Sequence, residues 1–257
     1  MRYAIITGAS SGLGQECARQ LNQRSRDKEI ESIDCFWLVA RRQDRLDRLA
    51  KELNAPCRIF ALDLEDATQR QSLIKAAEEA CSAGDQLDWL VLAAGFGKKG
   101  AFAETKDQAV SMVEVNCVAL TDLLAHLHPL VGEGRILLFA SVAAFMPQLG
   151  FAVYAASKSY VLSLSRALHA EGPASVTAVC PNPVATEFFD RSGQVPQGIK
   201  RIGIEKAEKV VSRALTKAQK RRPVSISCLP ARLIAFVSKI LPVSWLLAAQ
   251  KGLGIYR

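Results

Sequence analysis

Short apolar runs alternate with longer amphipathic stretches along nearly the whole chain. Residues 3–7, 35–40, 58–62, 87–93, 135–141, 176–180 and 224–228 are brief and mostly apolar, the pattern of strands covered on both faces. Helical periodicity between them predicts helices over residues 11–24, 42–53, 67–81, 108–130 and 154–171. Strand–helix alternation of this kind implies an α/β domain. Its parallel sheet of about seven strands is doubly wound with right-handed crossovers, the Rossmann-type arrangement. Residues 188–203 break the rhythm with three glycines and a proline, and read as a mobile loop able to close over a substrate.

Residues 1–228 read as the dinucleotide-binding and catalytic unit, and 229–257 as a hydrophobic helical C-terminal extension of the same domain. Pro230, Arg232, Lys239 and Pro242 interrupt the extension too often for a membrane span, which needs about 20 largely uncharged residues. Two short amphipathic helices fit better. Three placements stay open for them: over the substrate pocket, at a subunit contact, or on a membrane surface with Arg232, Lys239 and Lys251 at the headgroups.

The glycine-rich stretch Thr7-Gly8-Ala9-Ser10-Ser11-Gly12-Leu13-Gly14 falls between the first strand and the first helix. Glycines there allow a tight turn and close backbone approach, and the helix N-terminus offers unpaired N–H groups to a pyrophosphate. Where the second strand ends, an acidic residue would bind both ribose hydroxyls of NAD(H). This chain has Ala40-Arg41-Arg42 instead, and a guanidinium there grips a 2′-phosphate through forked hydrogen bonds. NADP(H) is therefore expected over NAD(H). Asp63-Leu64, after the third strand, would meet the adenine edge, with a helix N-cap as the plain alternative for Asp63.

The chemistry is carried by Tyr154-Ala155-Ala156-Ser157-Lys158. Residues four apart on a helix share a face, so a phenol and an ammonium lie side by side. The ammonium and the positive charge of an oxidised nicotinamide are both expected to favour the phenolate and bring the phenol's pKa down. Ser141 closes the fifth strand, where a hydroxyl can orient a carbonyl oxygen. Asn116 is a polar amide amid apolar helix residues; it reads either as holding a relay water or as bonding to backbone.

These motifs, in this order and at these intervals, resemble the short-chain dehydrogenase/reductase family over about residues 1–190, in its NADP-preferring branch. The resemblance implies that Tyr154 is the general acid in carbonyl reduction and that Lys158 tunes it and binds the cofactor ribose. It further implies that Ser141 positions the carbonyl and Asn116 supports a relay water. Gly8, Ser10, Ser11, Gly12, Leu13, Gly14, Arg41, Arg42, Asp63, Leu64, Ala93, Gly95, Pro181, Val184 and Thr186 complete the expected cofactor contacts. The sequence departs from the family's Asn-Asn-Ala-Gly at Leu92-Ala93-Ala94-Gly95, losing amides that tie neighbouring strands, and from its Pro-Gly at Pro181-Asn182-Pro183. Family members usually pair through the helices carrying Asn116 and Tyr154, so a homodimer or homotetramer is expected.

Composition narrows the partners. The chain is 257 residues long with a formal charge of +8, which suits an anionic cofactor or an acidic lipid surface. It lacks the basic stripe interleaved with aromatics of a nucleic-acid binder. The seven cysteines form no Cys-x-x-Cys pair, so no metal site is indicated, and a reduced cytoplasmic setting, with membrane association through the extension as an addition, fits. The first strand begins almost at the initiator methionine, with no signal peptide expected ahead of it. His126 and His128, two apart on a helix, point apart and read with His169 as surface or interface residues. Phe96, Phe145, Met146, Leu149, Phe151, Phe188 and Phe189 would border the substrate, suggesting a greasy, steroid- or lipid-like carbonyl or alcohol. A 3-oxoacyl thioester is the alternative substrate, and a non-catalytic NADPH-binding sensor or scaffold the alternative role.

Overall fold

All seven apolar runs form strands; the central ones are covered by helices above and below, while the edge strands are only partly buried. They are β1 (Arg2–Thr7), β2 (Cys35–Ala40), β3 (Cys57–Ala61), β4 (Gln86–Leu92), β5 (Arg135–Phe139), β6 (Ser175–Cys180) and β7 (Val224–Ile226). They pair in parallel as a single sheet in the order β3-β2-β1-β4-β5-β6-β7. The computed structural model describes residues 1–188, 192 and 204–252. Most of the expected loop over 188–203, including Phe189, therefore lies outside the described residues.

The helices are α1 (Gly12–Arg26), α2 (Gln43–Leu53), α3 (Ala67–Ser82), α4 (Lys106–Val113), α5 (Leu120–Val131), α6 (Ala152–Glu171), α7 (Ala207–Gln219), α8 (Leu229–Ile240) and α9 (Val243–Gly252). One face of the sheet packs on α1, α2 and α7 through Cys17, Leu21, Leu46, Leu49, Val211 and Leu215. The other packs on α3, α5 and α6 through Leu73, Leu123, Leu127, Val161 and Leu162. The reversal of strand order between β1 and β4 opens a crevice at their C-terminal ends, where Thr7 pairs with both Val39 and Leu92.

Two elements differ from the sequence reading. Helix α7 was absent from it, although Val210, Val211, Ala214, Leu215 and Ala218 repeat at helical spacing and are all buried. The single helix expected over residues 108–130 is divided: α4 and α5 are joined by a π-helical turn, Glu114–Ala119. Such a turn inserts one residue into the hydrogen-bond ladder and re-aims its side chains. It carries Asn116, which reaches away from its own helix to the backbone of Phe96.

Candidate active site

The glycine turn is shaped by what a side chain would strike. Gly8 and Gly12 have φ of +68° and +57°, the left-handed region that favours glycine. A Cβ on Gly8 would lie 2.9 Å from the Ala94 nitrogen, and one on Gly14 would lie 2.5 Å from the Gly8 oxygen. The loop therefore runs directly against the end of β4 and the start of α1. Ser11 is the N-cap of α1, yet its side chain does not cap the helix, and the first turn holds no acidic residue. The Ser11 hydroxyl instead accepts from the Arg42 guanidinium at 2.9 Å, and that of Ser10 accepts from it at 3.1 Å. First-turn N–H groups with no side-chain cap, in a cradle that a Cβ would fill, fit a dinucleotide pyrophosphate.

Arg42 continues outward to donate to Glu187 at 3.0 Å, and Arg45 pairs with the same carboxylate. The two arginines hold the Glu187 carboxyl below its usual range. Arg41 is exposed and lies 3.8 Å from Asp63. Asp63 does not cap a helix. Its carboxylate accepts from the Glu65 N–H, while Asp66 caps α3 by accepting from Thr68 and Gln69. Leu64, Ala93, Gly95, Pro181, Val184 and Thr186 all border the same cleft of about 600 Å3.

At the other end of that cleft, Ser141, Tyr154 and Lys158 come together. Ser141 follows β5, and its hydroxyl oxygen accepts from the Ala143 N–H at 3.1 Å, which leaves its proton to give away. That hydroxyl faces the Tyr154 phenol closely enough to favour its charged form. Lys158 is buried, donates to the Phe139 carbonyl at 2.7 Å, and has its nitrogen 5.7 Å from the centre of the Tyr154 ring. Asn116 fills its amide with neighbours: it donates to the Phe96 carbonyl at 2.9 Å and to the Ser157 hydroxyl at 3.0 Å, and accepts from the Phe96 N–H at 3.1 Å. Ser157 in turn donates to the Tyr154 carbonyl. Asn116 thus bonds to backbone twenty residues away, at the end of β4 rather than in its own helix.

In the protein alone, without the nicotinamide's charge, burial pushes the Tyr154 phenol up to about 12, with the Ser141 hydroxyl opposing, and burial pulls Lys158 down to about 8. The charged forms of both groups lose hydration here, and that loss dominates both shifts. In this state the site holds a neutral phenol, a loaded proton donor.

The sequence pattern of the short chain dehydrogenases matches residues 2–196, about three quarters of the chain. This protein belongs to the short chain dehydrogenases. It is 32% identical over 196 residues to a serine 3-dehydrogenase of Agrobacterium fabrum, covering 72% of each chain. A short-chain dehydrogenase from Sphingobium yanoikuyae, solved with NADPH, superposes with a TM-score of 0.76 at 27% identity, over 98% of this chain and 95% of that one. A bulky-bulky ketone specific alcohol dehydrogenase from Comamonas testosteroni does so at 0.72 and 26%, over 99% and 93%. The protein is thus an oxidoreductase of a family that uses a nicotinamide cofactor.

Both departures from the family pattern are bridged by other groups. Where strand-tying amides are missing after β4, the Thr7 hydroxyl accepts from the N–H groups of Ala93 and Ala94, each at 3.1 Å. In the Pro181-Asn182-Pro183 segment, the Pro181 carbonyl accepts from Val142 and the Asn182 N–H donates to Ser227. Both joints of the crevice are therefore pinned.

This short chain dehydrogenase also uses residues that the sequence reading passed over. Arg45 was legible, one helical turn beyond Arg42 and Arg41. Glu187 was not, because nothing local links it to arginines more than a hundred residues earlier. Gly97 was not either: a Cβ there would lie 2.7 Å from carbons of both the Phe151 and Tyr154 rings. Gly97→Ala should tilt the phenol and lower kcat by roughly tenfold or more, with NADPH affinity nearly unchanged; steady-state kinetics beside a cofactor titration measure both.

Apolar rings close the catalytic end. Phe96, Met146, Leu149, Phe151 and Phe188 line the cleft, as expected. Phe145 does not; it packs against the core between the sheet and α6. Phe151 stacks on Tyr154 at 4.3 Å between ring centres, and Phe188 approaches it at 5.5 Å. The C-terminal extension supplies a further wall through Pro230, Ile234 and Gln250. Gln250 accepts from the Leu149 N–H and donates to the Pro147 carbonyl, fastening α9 to the loop beside the pocket.

Proposed function

We propose that this short chain dehydrogenase is an NADPH-dependent reductase of bulky, hydrophobic ketones, with steroid- or lipid-like carbonyls as the natural class. The observation that carries this reading is the convergence of Ser141, Tyr154 and Lys158 on one cleft whose far wall is aromatic and aliphatic. In this reading the Ser141 hydroxyl donates to the substrate oxygen and fixes its direction. Tyr154 gives that oxygen its proton as negative charge develops on it. The Lys158 ammonium, beside the phenol, stabilises the phenolate left behind. Asn116 and Ser157 hold the backbone at Phe96 and Tyr154 so that these distances persist. The nicotinamide, when bound, supplies the hydride.

The cofactor preference is argued from charge. Arg42 and Arg45 gather on one carboxylate, and Arg41 stands next to them, at the mouth where a 2′-phosphate would arrive. The ketone class is supported by the shape and polarity of the cleft, and by the bulky-ketone specificity of the structurally similar Comamonas enzyme. We also assign subunit pairing to the face bearing Val110, Val113, Val118 and Tyr160, which α4, α5 and α6 leave exposed.

Following loss of reduced-cofactor absorbance across a panel of aryl, steroid and long-chain ketones tests the reading. Bulky ketones should be turned over with a kcat/KM well above that of short ketones and sugars. Turnover confined to 3-oxoacyl thioesters would move the substrate assignment to the thioester class, and no turnover of any carbonyl would leave a cofactor-binding sensor.

A further inference from the structure

Helix α8 has two unlike faces. Ala231 and Ala235 are buried against the fold, and Pro230 and Ile234 face the cleft. Leu229, Leu233, Phe236 and Ile240, spaced four, three and four residues apart, form one straight stripe pointing away from the protein. They are 77%, 61%, 62% and 62% exposed. The stripe continues through exposed Leu241 and Val243 to Trp245, which is 65% exposed. An unbroken row of large apolar side chains in water is unusual for a helix that already has a buried face.

Charge says what covers it. From Lys209 to the last residue the chain carries lysines and arginines but not a single aspartate or glutamate. Arg232 and Lys239, seven apart, run along one edge of the stripe and are exposed, as is Lys251 on α9. A second copy docked face to face would bring cations against cations. An anionic surface with an apolar interior matches both properties at once: phosphate headgroups meet the basic edge, and acyl chains meet the stripe. Long basic side chains can rise to headgroup level while the neighbouring leucines enter the hydrocarbon, and tryptophan favours the boundary between them.

We infer that α8 and the start of α9 form a docking surface for anionic lipid bilayers, and that this enzyme works as a peripheral membrane protein. Docked this way, the helix that walls the substrate cleft lies on the bilayer, so an apolar ketone dissolved in the lipid reaches the cleft without crossing bulk water. The docking itself does not depend on which ketone is reduced.

The test uses the full-length protein with vesicles of phosphatidylcholine alone or mixed with phosphatidylglycerol. The protein should float with the mixed vesicles and much less with phosphatidylcholine, and added salt should weaken the binding. Trp37 and Trp89 are buried, so a blue shift of tryptophan emission on vesicle addition reports Trp245. Arg232→Gln with Lys239→Gln should lower affinity for the mixed vesicles on the order of thirtyfold. Leu233→Gln with Phe236→Gln should lower it by at least about tenfold. Both pairs are exposed and outside the cleft, so thermal melting and NADPH binding should match the parent. Absence of vesicle binding by the parent, unchanged Trp245 emission, or double variants that both bind as tightly as the parent would overturn the inference. So would a parent that fails to bind vesicles but loses subunits when Leu233 and Phe236 are replaced, because a second copy would then own the stripe.

Discussion

Tyr154→Phe is expected to lower kcat for ketone reduction by about a hundredfold to ten-thousandfold, the usual worth of a positioned general acid, while NADPH binding stays at the parent level. The phenol is buried under Phe151 and beside Phe188, so phenylalanine fills the same space and only the hydroxyl is lost. Single-turnover kinetics with a fluorescence titration of NADPH separate the two quantities. A variant that kept full turnover would remove Tyr154 from the chemistry. The parent's pH profile should carry the same signature. The phenol, held up near 12, stays protonated through the neutral range, whereas the Lys158 ammonium is lost as pH rises through about 8. Burial has lowered the lysine's pKa, so the charge that stabilises the developing phenolate is present below that point and absent above it. Reduction should therefore run at a plateau on the acid side and fall on the alkaline side, with a midpoint near 8 that belongs to the pair rather than to either residue.

The second large effect concerns the cofactor. Arg42→Ala removes a guanidinium that holds the Ser10 and Ser11 hydroxyls and the Glu187 carboxylate together. If it also receives the 2′-phosphate, its loss forfeits charge-assisted hydrogen bonds of about 1.5–3 kcal/mol, or roughly tenfold to a hundredfold in NADPH affinity. NADH, lacking that phosphate, should be affected far less, and adding Arg41→Ala should widen the gap. Glu187 predicts the opposite sign: its carboxylate already occupies Arg42 and Arg45, so an arriving phosphate must compete with it. Glu187→Gln should tighten NADPH by severalfold and leave NADH nearly unchanged. Isothermal titration of both cofactors against the three variants reads the whole set. Equal losses for NADPH and NADH in the arginine variants would end the phosphate assignment.

Much of the fold could be read from the chain because its central strands are buried and its surface helices amphipathic, so hydrophobic period and element type coincide. All seven strands appear where their apolar runs lie. Helix α7 shows that the signal extended further than the reading taken from it. The π turn at Glu114–Ala119 is different. Nothing in residues 108–130 announces it; it arises from a long-range pull, the amide of Asn116 bonding to Phe96 across the end of β4. The same division runs through the candidate site. Contacts among neighbours in sequence, such as the glycine turn and the Tyr154–Lys158 pair, were legible. Contacts made by the sheet's closure, such as Glu187 on Arg42 and Gly97 under Tyr154, depend on residues brought together only by folding. The burial that raises the Tyr154 phenol belongs to this second class, since spacing reveals a charged neighbour but not how much water both groups surrender.

The fastening of α9 by Gln250 has a consequence for how the substrate side of the cleft is shaped. The family's shared pattern stops at residue 196, whereas the side of the cleft built by Pro230, Ile234 and Gln250 comes entirely from beyond it. The substrate side of the cleft is thus partly walled by the C-terminal helices, which are held there by the Gln250 amide at Pro147 and Leu149 and by the burial of Ala231 and Ala235. Substitutions at Pro230 or Ile234 would therefore reshape the wall that meets a substrate while leaving Ser141, Tyr154 and Lys158 in place.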